Sequence, residues 1–159
     1  GMPVYVTLLG DGARRTMDET WAMVADGKQA GPAAIAVKGR KVEVPLAAGR
    51  AARFGFADLC EKPLAARDYL AIADDYDTIL VDDIPVMQAS QRNEAKRFIL
   101  LVDTLYDRHR RLIASAAAAP DALYAGTTGT EAFEFARAAS RLVEMQSKEW
   151  LEGWKAGLE

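Results

Sequence analysis

Two adjacent carboxylates follow an apolar run in the middle of the chain. Residues 78–81 form this run, and Asp82 and Asp83 come directly after it, a pattern typical of a buried strand that ends in acids. Ligands of α/β sheets bind outside the carboxyl ends of the strands, where carboxylates can hold Mg²⁺. Asp82 and Asp83 are therefore candidate metal-binding acids. Two alternatives stay open, since acids at strand ends also cap the next helix or pair with arginine.

A phosphate-binding loop is the part that such acids need for nucleotide hydrolysis. An apolar strand followed by two acids resembles the Walker B arrangement of P-loop ATPases. No G-x-x-x-x-G-K-[ST] motif occurs in the 159 residues, and Gly10-Asp11-Gly12 continues as Ala-Arg-Arg. We therefore assign no catalytic residue and expect no ATP hydrolysis by this chain alone.

Two groups of arginines are candidates for binding. Arg137 and Arg141 are four residues apart and share a helix face, so they could clamp a phosphate, act as an arginine finger or pair with the acids of residues 57–83. Arg92 and Arg97 lie near the start of a second helical segment and could contact a partner or form a solvated face.

Cysteine and histidine content excludes several kinds of site. Cys60 and His109 are the only residues of their types, which rules out an internal disulfide and an ordinary zinc site. Cys60 is predicted to be a buried structural thiol. Ser115 could form a Ser-His-acid triad only through His109, and a reducing cytoplasm is the expected compartment.

Composition favours one folded domain over residues 1–159. Half of the residues are hydrophobic, 27% are charged and the net charge is −3. The charge is uneven, because residues 57–83 contain eight acids and two bases whereas residues 92–111 contain three acids and six bases. This balance gives no argument for nucleic-acid binding. No apolar run is long enough for a membrane span, so no transmembrane segment is expected.

The first third of the chain predicts a β-rich part over residues 1–56. Residues 3–8 read as a strand, and Thr16 and Glu19 form a capping-box pattern that predicts a helix start at Thr16. The next three predicted strands cover residues 33–38, 41–46 and 51–56, with a hairpin turn at Gly39-Arg40.

The rest of the chain, residues 57–159, predicts a βαβ part. Strands are expected at 78–81 and 112–115, and helices at 57–61, 65–75, 91–109, capped by Ser90, and 131–151. The expected fold class is α/β, with a mixed sheet that combines an antiparallel N-terminal portion and a parallel, P-loop-like βαβ portion flanked by helices. A degenerate duplicate of an ATPase core and convergence on βαβ are equally compatible with this order of elements.

A series of segments in a fixed order resembles one family. These segments are RFGFADLCEKPL at 53–64, ILVDDIP at 79–85, RNEAKRFI at 92–99, FEF at 133–135, SRL at 140–142 and EMQS at 144–147. With them the chain, over residues 3–151, is similar to the C-terminal part of the ZapE-type ATPases of the AAA class, which act in bacterial cell division and have mitochondrial counterparts. Ala136 and Ala138 stand where the family usually has Glu and Thr.

This resemblance implies a role within a larger machine. It implies ATP and Mg²⁺ as cofactors of the full-length family member, with none for this fragment, whose segments lie downstream of the family's P-loop. The implied partners are the remainder of the ATPase, a tubulin-like division GTPase and other copies of the chain. The implied location is cytoplasmic, with peripheral contact to the inner membrane.

Three functions are therefore weighed on the sequence. The first is a non-catalytic module of an ATPase that contributes structure, partner binding or nucleotide sensing. The second is a stand-alone protein-interaction domain. The third is a Mg²⁺-dependent, phosphate-handling enzyme that uses Asp82 and Asp83.

Overall fold

A mixed six-stranded sheet forms the centre of the computed structural model, which describes residues 2–159. The strands are β1 Tyr5–Thr7, β2 Gly31–Val37, β3 Arg40–Ala48, β4 Ala51–Gly55, β5 Thr78–Ile84 and β6 Arg111–Ala116. Their spatial order is β1-β6-β5-β4-β3-β2. Neighbouring strands from β1 to β4 in this order are parallel, whereas β4, β3 and β2 are antiparallel, so the predicted mixed sheet is confirmed.

Helices cover the two faces of this sheet unequally. The helices are α1 Asp11–Ala25, α2 Phe56–Cys60, α3 Ala66–Asp75, α4 Arg92–Asp107, α5 Gly129–Glu144 and α6 Lys148–Gly157, with a 3₁₀ turn at Pro120–Ala122. Helix α1 packs on one face, where its Met17 and Trp21 meet Leu80 and Ile113. Helices α2 to α5 pack on the opposite face, toward which Ile79 of β5 points. Helix α6 reaches both faces, because Trp150 joins the core of the second face and Trp154 lies against Arg111 on the face of α1.

The hairpin and the central strand follow directly from the sequence pattern. Gly39 has a φ of 80° in the β2–β3 turn, a conformation that glycine adopts without strain. Val42 and Val44 alternate with exposed residues and are buried. Strand β5 has neighbours on both sides and helices on both faces, which explains its uninterrupted apolar run.

Helix starts differ from the sequence prediction at two places. Helix α1 begins at Asp11, after Gly10 at a φ of 141°, so Thr16 lies inside the helix and the Thr16–Glu19 pattern is not a capping box. The carbonyl of Thr16 instead accepts a hydrogen bond from the hydroxyl of Thr20. Helix α4 begins at Arg92 after Gln91, and Ser90 does not cap it.

The predicted last helix over residues 131–151 is two helices. Helix α5 ends at Glu144, and α6 begins at Lys148. Ser147 Oγ accepts a hydrogen bond from the backbone N–H of Trp150 at 3.1 Å, which is the contact that caps a helix start. The break turns α6 toward the amino-terminal edge of the sheet, where Trp154 Nε1 donates to the carbonyl of Asp77. Within residues 2–159 no helix is long and apolar enough to cross a membrane.

Candidate functional site

Asp82, the first of the two candidate acids, is already paired with an arginine. Asp82 lies near the carboxyl end of β5, as the sequence predicts, beside Arg53 of β4. Arg53 donates to both Asp82 oxygens, from Nε at 2.7 Å and from Nη2 at 3.0 Å. Its Nη1 lies 2.9 Å from Asp18 Oδ1 on α1. The paired geometry is the bidentate one that arginine and carboxylate prefer.

The second acid is separate from the first. Asp83 lies within β5 rather than in the following turn, at a φ of 62° where the register with β6 is irregular. Its N–H donates to Ser115 Oγ at 2.9 Å, and the residue is exposed. Asp82 and Asp83 therefore face different surroundings. In the part of the chain that the structure describes, no three His, Cys, Asp or Glu side chains are grouped as metal ligands would be.

The Arg137 and Arg141 pair binds an acid on the neighbouring helix. Both lie on α5 and reach Asp103 on α4, at 3.7 Å from Arg137 and 2.6 Å from Arg141. The Arg141 guanidinium also lies 4.8 Å from the centre of the Tyr106 ring. Pairing with the acids of residues 57–83 is therefore wrong, because α5 packs on α4 rather than on that segment.

The basic start of α4 contacts protein groups and is not simply a solvated face. Arg92 Nη2 lies 2.8 Å from Glu131 Oε1 at the start of α5, and Lys96 Nζ lies 3.4 Å from the same oxygen. The hydrogen bond from Arg92 is the main reason why the pKa of Glu131 is lowered to about 2. Arg97 Nη1 donates to the carbonyl of Cys60 at 3.0 Å.

The cysteine and the histidine have structural surroundings. Cys60 is buried, and this burial raises the pKa of its thiol. His109 stacks on Trp150 with 3.9 Å between ring centres. His109 precedes β6, whereas Ser115 lies near the end of that strand, so the two cannot form a triad.

Sequence reasoning missed two features at the amino-terminal edge of the parallel strands. Asp77 accepts hydrogen bonds from Arg50 and Arg110, and the bond from Arg50 is the main reason why the pKa of Asp77 is lowered. Arg111 lines a groove of about 490 Å³ beside α6. Arg110 lies directly before β6 and Arg111 begins this strand, which runs parallel to the strand that follows Asp77. The basic pair before one predicted strand and the acid before the other were the signal available in the sequence.

Comparisons with known proteins place these features in a family. A family model described as AFG1-like ATPase matches residues 2–153. The chain is 34% identical to the cell division protein ZapE of Escherichia coli K12 over 149 residues, which cover 94% of this chain and 39% of that protein. It is 33% identical to lactation elevated protein 1 homolog B of Danio rerio, with 77% and 30% covered. The chain thus spans well under half the length of these relatives. No solved structure matches it significantly.

Proposed function

Because this chain belongs to the AFG1-like ATPase family, we propose that it serves as a non-catalytic, C-terminal module of a longer ATPase. The module contributes structure and partner binding to the machine. ATP and Mg²⁺ are used elsewhere in the longer protein, and this part binds neither.

Internal ion pairs are the observation that carries this proposal. Asp82 is held by Arg53, and Arg141 is held by Asp103, at distances of 2.7 and 2.6 Å. A Mg²⁺ ion at Asp82 would have to displace a bidentate guanidinium, and a phosphate at Arg141 would have to displace a carboxylate. Both exchanges break charge-assisted hydrogen bonds, which are about twice as strong as neutral ones. The enzyme alternative is therefore less well supported than the module.

The layout of the parallel strands adds a second argument. The β1–α1 loop and the ends of β5 and β6 meet at one sheet edge, as in nucleotide-binding α/β domains. In this chain the first turn of α1 carries Asp11, a negative charge at a helix start where a phosphate would be repelled. We propose that the parallel part keeps a P-loop-like arrangement of strands without a working nucleotide loop.

The resemblance to the family suggests partners and a location, which we also propose. The proposed partners are the remainder of the ATPase, a tubulin-like division GTPase and further copies of the chain. The proposed location is cytoplasmic, at the inner membrane surface. The Escherichia coli relative is a cell division protein, which supports a role in division.

A phosphate-release assay tests the central claim. With millimolar Mg-ATP, we expect the purified chain to release phosphate no faster than a buffer blank, while an active P-loop ATPase in the same plate gives clear turnover. Turnover that co-purifies with the chain and is abolished by Asp83→Asn would contradict the module and favour the Mg²⁺-dependent enzyme.

A further inference from the structure

A partly apolar groove lies between α6 and the β1 edge of the sheet, and we refer to it as the α6 groove. Its cavity volume is about 490 Å³. Hydrophobic side chains from α6, from β6 and from the segment before β1 form its walls. They are Met2, Val4, Ile113, Leu151 and Trp154.

A half-buried cation without an acid partner lines this groove. Arg111 Nε donates to Thr78 Oγ1 at 3.2 Å, and the guanidinium lies 3.9 Å from the centre of the Trp154 ring. Its Nη1 contacts the sulfur of Met2 at 3.8 Å. Among residues 2–159 no carboxylate forms an ion pair with Arg111, whereas the adjacent Arg110 pairs with Asp77. Burial accordingly lowers the pKa of Arg111, with no acid to offset it.

The rim of the groove adds positive charge. Lys148 and Lys155 line it together with a single acid, Glu152, and that acid lies 3.9 Å from Lys148. A negative group that enters the groove therefore meets Arg111 at its wall and lysines at its mouth. Desolvated cations of this kind gain most from a carboxylate that reaches them in a fork geometry.

The neighbouring sheet edge suits a polypeptide. Within residues 2–159, strand β1 pairs with β6 alone, so in this described part its other side presents unpaired backbone groups next to Met2 and Val4. An extended peptide can add to such an edge, with backbone hydrogen bonds on one side and side chains in an adjacent groove.

We propose that the α6 groove binds an acidic segment of a second protein. One carboxylate of that segment pairs with Arg111, and an adjacent large apolar side chain packs against Leu151 and Trp154. Charge complementarity selects the acid, and the apolar walls select its neighbour.

Selection from a library tests this proposal with the whole chain. A random library of 12-residue peptides displayed on phage is panned against the purified protein, and enriched peptides are synthesised and titrated by calorimetry. We expect enriched sequences to combine Asp or Glu with an adjacent large apolar residue. Their binding should shift the indole N–H resonance of Trp154 in ¹⁵N spectra.

Variants locate the binding. We expect Arg111→Gln to weaken binding at least ~10-fold, because a charged hydrogen bond contributes about 1.5–3 kcal/mol, and Arg111→Lys to restore part of it. Leu151→Glu is a second variant that repels the acid from the groove. Arg14→Gln is the matched control, since Arg14 is exposed on α1 away from the groove.

Several outcomes overturn the proposal. These are an absence of enriched peptides, enriched peptides without acids, and binding by Arg111→Gln and Leu151→Glu that equals binding by the parent chain. Two other occupants are checked in parallel. Arg111-dependent binding to phosphatidylglycerol vesicles without peptide binding would identify a lipid surface, and Arg111-dependent dimerisation in sedimentation equilibrium would identify a second copy. Phosphate release by the chain would refute the proposed non-catalytic module, but it would not affect the result on peptide binding in the α6 groove.

Discussion

The two faces of the sheet differ in how many helices and how large a hydrophobic core cover them. On one face, helices α2 to α5 and Trp150 of α6 form a continuous layer whose aromatic centre stacks Phe98 on Phe135 with 5.7 Å between ring centres. On the other face, α1 covers the strands through a small cluster around Met17 and Trp21, and α6 adds Trp154 beside Arg111. Apolar burial is the main stabilising term in folding, so the multi-helix face carries most of the stability of the chain.

Ion pairs also differ between the α4–α5 layer and α1. Helices α4 and α5 are joined near their starts by Arg92 and Glu131 and near their ends by Asp103 and Arg141. The pair of Asp103 and Arg141 is the better buried of these, at 21% and 25% exposure, whereas Arg92 is 64% exposed. The ion pair that holds α1 joins Arg53 to Asp18, whose side chain is 61% exposed. A pair with an exposed member contributes only ~0–1 kcal/mol, so the difference between the faces rests on the pair of Asp103 and Arg141. We therefore expect α1 to open locally at a lower free energy than the α4–α5 layer.

The largest effect is expected at the centre of the multi-helix face. Phe98→Ala should lower the free energy of unfolding by ~3–5 kcal/mol, because it leaves a cavity between Phe56 and Phe135. Met17→Ala, on the α1 face, should cost ~2–3 kcal/mol. Urea denaturation measures both values. Leu100→Ala, on the exposed side of α4, is the control and should stay within about 1 kcal/mol of the parent chain.

Hydrogen exchange distinguishes local from global opening in these variants. Met17→Ala should reduce protection of the α1 amides while those of α4 and β5 keep theirs, and Phe98→Ala should reduce protection throughout. If Met17→Ala reduces amide protection throughout the chain as much as Phe98→Ala does, or more, the two faces form one cooperative unit.

Local features could be predicted from the sequence, whereas pairings between distant segments could not. Strand β5 was evident because a short apolar run that ends at two acids is typical of a buried strand. The start of α1 at Asp11 could not be predicted. The Thr-x-x-Glu pattern at Thr16 also occurs inside helices, and the sequence does not show which backbone angle Gly10 adopts. Spacing put Arg137 and Arg141 on one face, but their partner Asp103 depends on how α5 packs against α4.

The ion pairs of Arg137 and Arg141 with Asp103 are expected to contribute less to the free energy of unfolding than Phe98 does. Arg141→Ala should cost ~1–2 kcal/mol, because it removes a charged hydrogen bond at 2.6 Å and the contact with Tyr106. Arg137→Ala should cost ~0–1 kcal/mol, since that side chain is 53% exposed and lies 3.7 Å from Asp103. Thermal and urea denaturation give both values.

The arginine-finger hypothesis makes the opposite prediction for the same residue. In the proposed longer ATPase, loss of a finger would lower turnover by ~10³–10⁵, while the stability of this chain would be unchanged. If Arg141→Ala leaves the stability unchanged and greatly lowers turnover in the longer protein, Arg141 acts as an arginine finger rather than as a structural partner of Asp103.

A pH-dependent effect is expected at the other end of the α4–α5 contact. The pKa of Glu131 in the folded chain is about 2, below the value of about 4.3 for an unperturbed Glu. A lowered folded pKa means that the unfolded chain binds the proton first, so this stabilisation is complete above about pH 4.3 and is lost as the pH falls toward 2.

Replacement of this acid should therefore matter at neutral pH and not in acid. Glu131→Gln should melt below the parent chain at pH 7, and the difference should shrink between about pH 4.3 and 2 as the parent loses the interaction with Arg92. Asp77 also has a lowered pKa, but it is present in both proteins, so its contribution cancels in the difference. Glu134→Gln on the same helix is the control, since Glu134 forms no ion pair within residues 2–159 and its melting profile should follow that of the parent. A difference that stays constant down to pH 2 would mean that Glu131 stabilises α5 through packing rather than through its charge.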